Sequence, residues 1–232
     1  MIETLSAFWD FLKKPKLLKF SKDNKSLWRD LLWLLLLDLI FAGIIMGIYY
    51  ILLHFKVIKE YVQEIDILKK YGLTVTLLLV CIFVPVLEEF LFRWHLRKKY
   101  LSIYFVCFTL GLISNYFIKS SFLTWPVYIF FLFVALIVHG YFKRLDIRKR
   151  LVFQQKSFGY LFYYAAIIFG LIHLGNIKGL TLSDPAFVLF VISQTFTGIS
   201  LGFIRIKYGL GYSMLLHGFF NFILLLLMVF FS

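Results

Sequence analysis

Apolar residues along the chain gather into long runs separated by short clusters of charge, instead of alternating as in a half-buried strand or lining one stripe of a surface helix. A helix crossing about 30 Å of hydrocarbon needs about 20 predominantly apolar residues. Runs of that kind predict seven spans: Leu31–Leu53, Leu73–Phe92, Tyr100–Ile118, Phe122–Phe142, Phe158–Leu174, Ala186–Ile204 and Leu210–Phe231. Ahead of them, Ile2, Leu5, Trp9 and Leu12 recur at helical spacing with Glu3, Ser6 and Asp10 between them. This predicts a short amphipathic helix lying in the membrane interface and ended by Pro15. Lys13, Lys14, Lys16 and Lys19 follow the apolar residues instead of preceding them, which argues against a secretory signal. The expected fold is all-α, a polytopic transmembrane bundle. Residues 1–29 form a cytoplasmic interfacial segment and 30–232 a single membrane-embedded domain without internal repeat.

Composition agrees with the pattern: 62% of the residues are hydrophobic and 16% charged, both displaced from soluble usage toward a bilayer solvent. Cys81 and Cys107 lie inside apolar runs, as small buried hydrophobes do. The net charge of +13 raises the question of nucleic acid, but its placement answers it. With the N-terminus inside, 19 of the 25 Lys and Arg residues fall in cytoplasmic segments, so the excess reads as positive-inside topology, facing lipid and not nucleic acid. The expected location is the plasma (inner) membrane, N-terminus cytoplasmic.

Ionisable groups within hydrocarbon cost at least about 2.5–3.5 kcal/mol each on insertion scales, so the few present are functional candidates. Asp38, His54 and His139 belong to no motif and read as bundle-facing or interfacial. The others form three local patterns. In the first, Glu88, Glu89 and Arg93 follow Pro85. Glu89 and Arg93 are i, i+4 and share a helix face, while Glu88 points about 100° away. Glu89 is therefore expected to pair with Arg93, leaving Glu88 to face a cavity and take a proton from water. Pro85 frees the carbonyl of Cys81 and should kink the helix. The second pattern ends the fifth run with Phe169 and His173, where Ala166 and Gly170 permit close helix approach. The third places His217 and Asn221 on one face of the last run, after a preceding run carrying Gly198 and Gly202.

Two glutamates, two histidines and an asparagine on three spans suggest hydrolysis, with a carboxylate activating water and N–H donors stabilising an oxyanion. Glu88, His173 and His217 also match a catalytic zinc donor set, although there is no His-Glu-x-x-His segment. A proton relay in a transporter is a further class, poorly supported without repeats.

In this order, the three patterns resemble the CPBP (CAAX protease and bacteriocin-processing, or ABI) family of intramembrane proteases, which includes the Rce1-type CAAX prenyl endopeptidases. The matching residues are Glu88, Glu89 and Arg93, then Phe169 and His173, then His217 and Asn221, over about residues 80–222. The resemblance implies an intramembrane endopeptidase acting near the cytoplasmic side. Glu88 and His173 would activate water, His217 and Asn221 would stabilise the oxyanion, and Glu89 and Arg93 would orient the site. It leaves the metallo- or glutamate-type mechanism open. The implied substrate is a peptide or membrane-anchored protein, prenylated or carrying a leader, with a non-proteolytic immunity or secretion factor as the alternative. Two features depart from the family pattern. Trp94 stands where Gly is usual, and an extra helical hairpin, about 100–142, separates the first motif from the second. Counting inward from Lys99 and Phe158 also puts Glu88 about 16 Å deep and His173 about 22 Å, a mismatch that the fold must close.

Overall fold

A computed structural model describes residues 2–61, 67–98, 100–118 and 122–231. It is an all-α bundle with seven helical segments long and apolar enough to cross a membrane, at Asn24–His54, Leu68–Arg97, Leu101–Ile118, Thr124–Arg144, Ile147–Gly175, Ala186–Lys207 and Leu210–Phe230. A short helix α1 (Ile2–Lys13) precedes them and stops before Pro15. The first span is α2 (Asn24–His54), which starts earlier than its apolar run because the Asp23 carboxylate caps the backbone N–H groups of Lys25 and Ser26. The second is composite. Helix α3 (Ile67–Leu78) passes through a π-helical turn at Leu79–Phe83 into α4 (Val84–Arg93) and a 3₁₀ turn at Trp94–Arg97.

The remaining spans are α5 (Leu101–Ile118), α6 (Thr124–Arg144), α7 (Ile147–Ile172), α8 (Ala186–Lys207) and α9 (Leu210–Phe231). Asp146 caps α7 by accepting from Arg148 N at 2.9 Å, so this helix begins well before Phe158. Outside the spans, the hydroxyl and N–H of Thr181 both donate to Asp184, holding its carboxyl below the usual carboxylate range and closing the turn that leads into α8.

Helix α7 and helix α8 form the densest pair, through the small residues expected to allow it. A Cβ on Gly198 would lie 3.3 Å from the Ala166 backbone, and one on Gly202 would lie 2.7 Å from the Phe162 ring. The opposite surface carries Gly170, where a Cβ would come within 2.8 Å of the Val191 carbonyl. Backbones this close leave room for van der Waals packing where lipid offers no hydrophobic drive. The hairpin of α5 and α6 sits at the periphery. It is held by Tyr104 Oη and His139 Nδ1 at 2.6 Å, and it touches the rest through Thr109 and the Tyr164 hydroxyl, also at 2.6 Å. Most of α6 is exposed, as a lipid-facing helix would be.

The N-terminal helix forms where the sequence places it and adds a second, protein-facing side. Its docked face is Thr4, Phe8 and Phe11, with Phe8 and Phe11 packed edge-on against Phe203 of α8 at centroid distances of 5.3 and 5.2 Å. Ile2 and Trp9 of the expected apolar stripe point outward, Trp9 being 59% exposed. The helix therefore has two apolar faces, and the inner one binds protein. Asp30 of α2 fixes it. Its fully buried carboxylate accepts from Thr4 Oγ1 at 2.7 Å, Lys207 Nζ at 2.6 Å and Tyr208 Oη at 2.7 Å. The end of α1 and the strap after it cross the helix ends: the Tyr163 hydroxyl donates to the Leu12 carbonyl of α1, and Arg97 donates to the Leu18 carbonyl of the strap at 2.9 Å.

One contact sets how closely α9 meets the second span. A Cβ on Gly218 would lie 2.6 Å from the carbonyl oxygen of Cys81, an atom of rigid backbone. Gly218→Ala is expected to cost about 1–3 kcal/mol by overpacking and to lower the thermal midpoint in detergent. Gly43→Ala, with nothing within 4 Å, serves as the control and should be neutral or slightly stabilising.

Candidate active site

The first motif owes its position to Pro85. With no N–H, Pro85 cannot pair with the carbonyl four residues back, that of Cys81, and the helix there widens into the π turn Leu79–Phe83. Helix α9 covers this irregular turn at two places. Gly218 lies against the Cys81 carbonyl, and the Asn221 amide donates to the Val80 carbonyl at 2.9 Å. One turn beyond the break, α4 presents Glu88 and Glu89 to the bundle.

The two carboxylates occupy different surroundings, as their angular separation on the helix requires. Glu89 is completely buried and Arg93 nearly so. Arg93 Nη1 and Glu89 Oε1 are 3.1 Å apart. The same oxygen is 3.2 Å from His217 Nδ1, and the Ser213 hydroxyl donates to Oε2. Glu88 instead keeps a quarter of its side chain exposed, although its Oε2 is buried. Its Oε1 faces His173 Nε2 at 3.7 Å and its Oε2 faces His217 Nε2 at 3.6 Å, just beyond direct hydrogen bonding. Oε2 has no protein partner. Separations of this size suit a water lying off the line between the groups and bonded to both.

Each imidazole is oriented from behind. His173 Nδ1 lies 2.7 Å from the Phe169 carbonyl, which can only accept, so Nδ1 is the donor and, in the neutral ring, Nε2 keeps the lone pair. Nδ1 of His217 meets the Glu89 carboxylate, which has the same consequence for its Nε2. Both lone pairs face Glu88. The fully buried Phe169 ring joins the three motifs. Its centroid lies 3.9 Å from the Arg93 guanidinium carbon, 4.3 Å from the His173 ring and 5.9 Å from the His217 ring. The phenylalanine of the second motif is thus a cation–π seat for the buried arginine and a floor for both histidines.

The expected depth mismatch between Glu88 and His173 does not arise. Arg97 and Tyr163 are both tied to the N-terminal segment. Counted from those ties, Glu88 lies nine residues in and His173 ten, each about 15 Å at α and 3₁₀ rises. Taking Phe158 as the surface had set the zero of α7 too far out.

Of the six sequence candidates, Glu88, His173 and His217 meet face to face, and Glu89 and Arg93 stand behind His217. Asn221 spends one amide hydrogen on Val80 and keeps a second. Ser213, absent from the sequence reading, joins the inner layer. Its only signal was its place four residues before His217, on the same helix face. Asp38 lies outside the constellation, where its Oδ1 accepts from Ser200 at 2.8 Å. Among the described residues no group of three or more His, Cys, Asp or Glu is placed to hold an ion.

A family model described as type II CAAX prenyl endopeptidase, Rce1-like, matches residues 70–223. The chain belongs to this family. The match runs from α3 into α9, encloses all three motifs and carries the α5–α6 hairpin within it, while α1 and α2 lie outside. Family membership makes the chain a membrane-embedded hydrolase of the endopeptidase class. No curated protein and no solved structure matches it.

Proposed function

We propose that this Rce1-like chain is a glutamate-type intramembrane endopeptidase that cleaves a peptide bond near the cytoplasmic side of the plasma membrane. The observation that carries the reading is Glu88 standing between two imidazoles whose Nε2 atoms both face it, each ring held by an acceptor at Nδ1. A water in this space gives one proton to Glu88 while its other hydrogen is held by an imidazole Nε2. The resulting hydroxide attacks the scissile carbonyl. A carbon–oxygen bond forms, the carbonyl electrons move onto oxygen, and the second amide hydrogen of Asn221 is the donor available to that oxyanion. As the tetrahedral centre collapses, the carbon–nitrogen bond breaks and Glu88 returns its proton to the leaving amine.

Every step uses groups of this chain and none passes through a metal. Exhaustive dialysis against a chelator is accordingly expected to leave at least about half the cleavage rate, since no step needs a Lewis acid or metal-bound water. Loss of activity that zinc restores would replace this reading with the metalloprotease one. The family description supports a membrane-anchored or prenylated carboxy-terminal peptide as the substrate, and the distribution of basic residues supports a cytoplasmic N-terminus. The direct test is cleavage of a peptide library by purified protein in detergent beside Glu88→Gln; equal cleavage by both ends the proposal.

A further inference from the structure

We propose that Ser213 is a positioning residue of this site, acting through Glu89 to fix which nitrogen of His217 carries the proton. A serine inside a membrane helix usually returns its hydroxyl to a carbonyl of its own preceding turn. Ser213 does not. Its backbone N–H reaches Gly209, but its side chain leaves α9 altogether, meeting the Leu201 carbonyl of α8 at 2.9 Å and the Glu89 carboxylate of α4. The residue is wholly buried, so no water replaces these contacts.

The consequence passes along a short chain of acceptors. Glu89 Oε1 is shared by Arg93 and His217 Nδ1, and Oε2 has Ser213 as its donor. With both oxygens engaged, the carboxylate is pinned in the rotamer that receives Nδ1–H of His217. Nε2 of that ring is then left bare and facing Glu88 at 3.6 Å. Without the hydroxyl, Oε2 is a buried carboxylate oxygen lacking its donor, and the group must turn or take a proton to satisfy it. Either change removes the acceptor from Nδ1. The ring can then carry its proton on Nε2, where it donates to Glu88 and occupies the base that must receive the water proton. The Leu201 carbonyl of α8 can only accept, so the single hydroxyl hydrogen is shared between it and Glu89 Oε2, and the position of α8 sets the hydroxyl's aim.

The kinetic part of this inference rests on the hydrolytic reading, whereas the tautomer part rests on hydrogen bonds alone. The test uses the full chain in detergent with ¹⁵N-labelled histidine, His217→Gln assigning the His217 signals. In the unmodified protein, His217 should show the pattern of a protonated Nδ1 and a bare Nε2. Ser213→Ala is expected to shift it toward protonated Nε2 and to lower kcat on the order of ten- to hundredfold, as loss of an outer-layer partner does, with KM changed less than about twofold. Ser213→Thr, which restores the hydroxyl, should recover both readouts. In a Glu89→Gln background Ser213→Ala should add nothing, because the relay is already cut.

The proposal is overturned if Ser213→Ala keeps the original tautomer and kcat, or if its loss is as large in the Glu89→Gln background. Should the alanine variant fail to fold, Ser213→Cys, close in volume and a weak donor, gives the same two readouts. Undiminished cleavage by Glu88→Gln would end the hydrolytic reading yet leave the His217 spectra to decide the role of Ser213.

Discussion

Glu88→Gln is expected to lower peptide cleavage by about 10²–10⁴-fold, the contribution usual for a positioned general base, while the protein folds and behaves in detergent as before. The two halves of this expectation have separate grounds. Gln keeps the volume and polarity of Glu but offers an amide in place of a carboxylate, so it cannot take a proton from water. Folding is spared because Glu88 makes no direct hydrogen bond to either imidazole and no ion pair with Arg93, lying 3.6–3.7 Å from the two Nε2 atoms with a quarter of its side chain exposed. A group in this situation contributes little to holding α4, α7 and α9 together, so a drop in rate can be read as chemistry. The measurement is initial rate against a cleaved peptide, with the thermal midpoint of the same samples beside it. A rate within about tenfold of the parent would show that another group deprotonates the water.

Much of this arrangement was legible in the sequence because the bilayer makes two features loud. Seven apolar runs must be helices, since no other open backbone is tolerated in hydrocarbon. The few charges inside them stand out for the cost of placing them there, which singled out Glu88, Glu89, Arg93, His173 and His217. What the sequence hid was lateral. Ser213 is a small polar residue of a kind common in membrane helices, and only the approach of α8 and α4 reveals that it serves Glu89. Asn221 shares a helix face with His217, as its spacing required, yet the carbonyl exposed by the π turn at Leu79–Phe83 engages one of its hydrogens. The inward face of α1 was missed because Phe8 and Phe11 lie beside a second apolar stripe through Ile2 and Trp9, and periodicity alone does not say which stripe meets protein. Depth was misjudged for a similar reason: hydropathy locates the apolar part of α7 but not its level relative to α4, which the N-terminal segment fixes through Arg97 and Tyr163.

The opposite behaviour is expected five residues further along α4, at Arg93→Met. Arg93 is 2% exposed and Glu89 0%, so removing the guanidinium leaves a carboxylate deep in the bundle with Ser213 and His217 as its remaining donors. Breaking a buried pair from one side costs about 3–5 kcal/mol, because the remaining charge is uncompensated. The lost stacking on Phe169, whose ring lies 3.9 Å from the guanidinium carbon, adds to it. A thermal midpoint lower by on the order of 10 °C follows, with a matching fall in the monodisperse fraction. Arg93→Lys should recover only part of this, since an ammonium carries the charge but not the plane that stacks on Phe169. The double variant Glu89→Leu, Arg93→Met separates the charge argument from loss of packing. Removing both charges leaves no buried ion to solvate, so it should be more stable than Arg93→Met alone, though inactive because His217 Nδ1 has lost its acceptor. If the double variant proves no more stable than the single one, the cost lies in packing around Phe169 and not in the unpaired carboxylate.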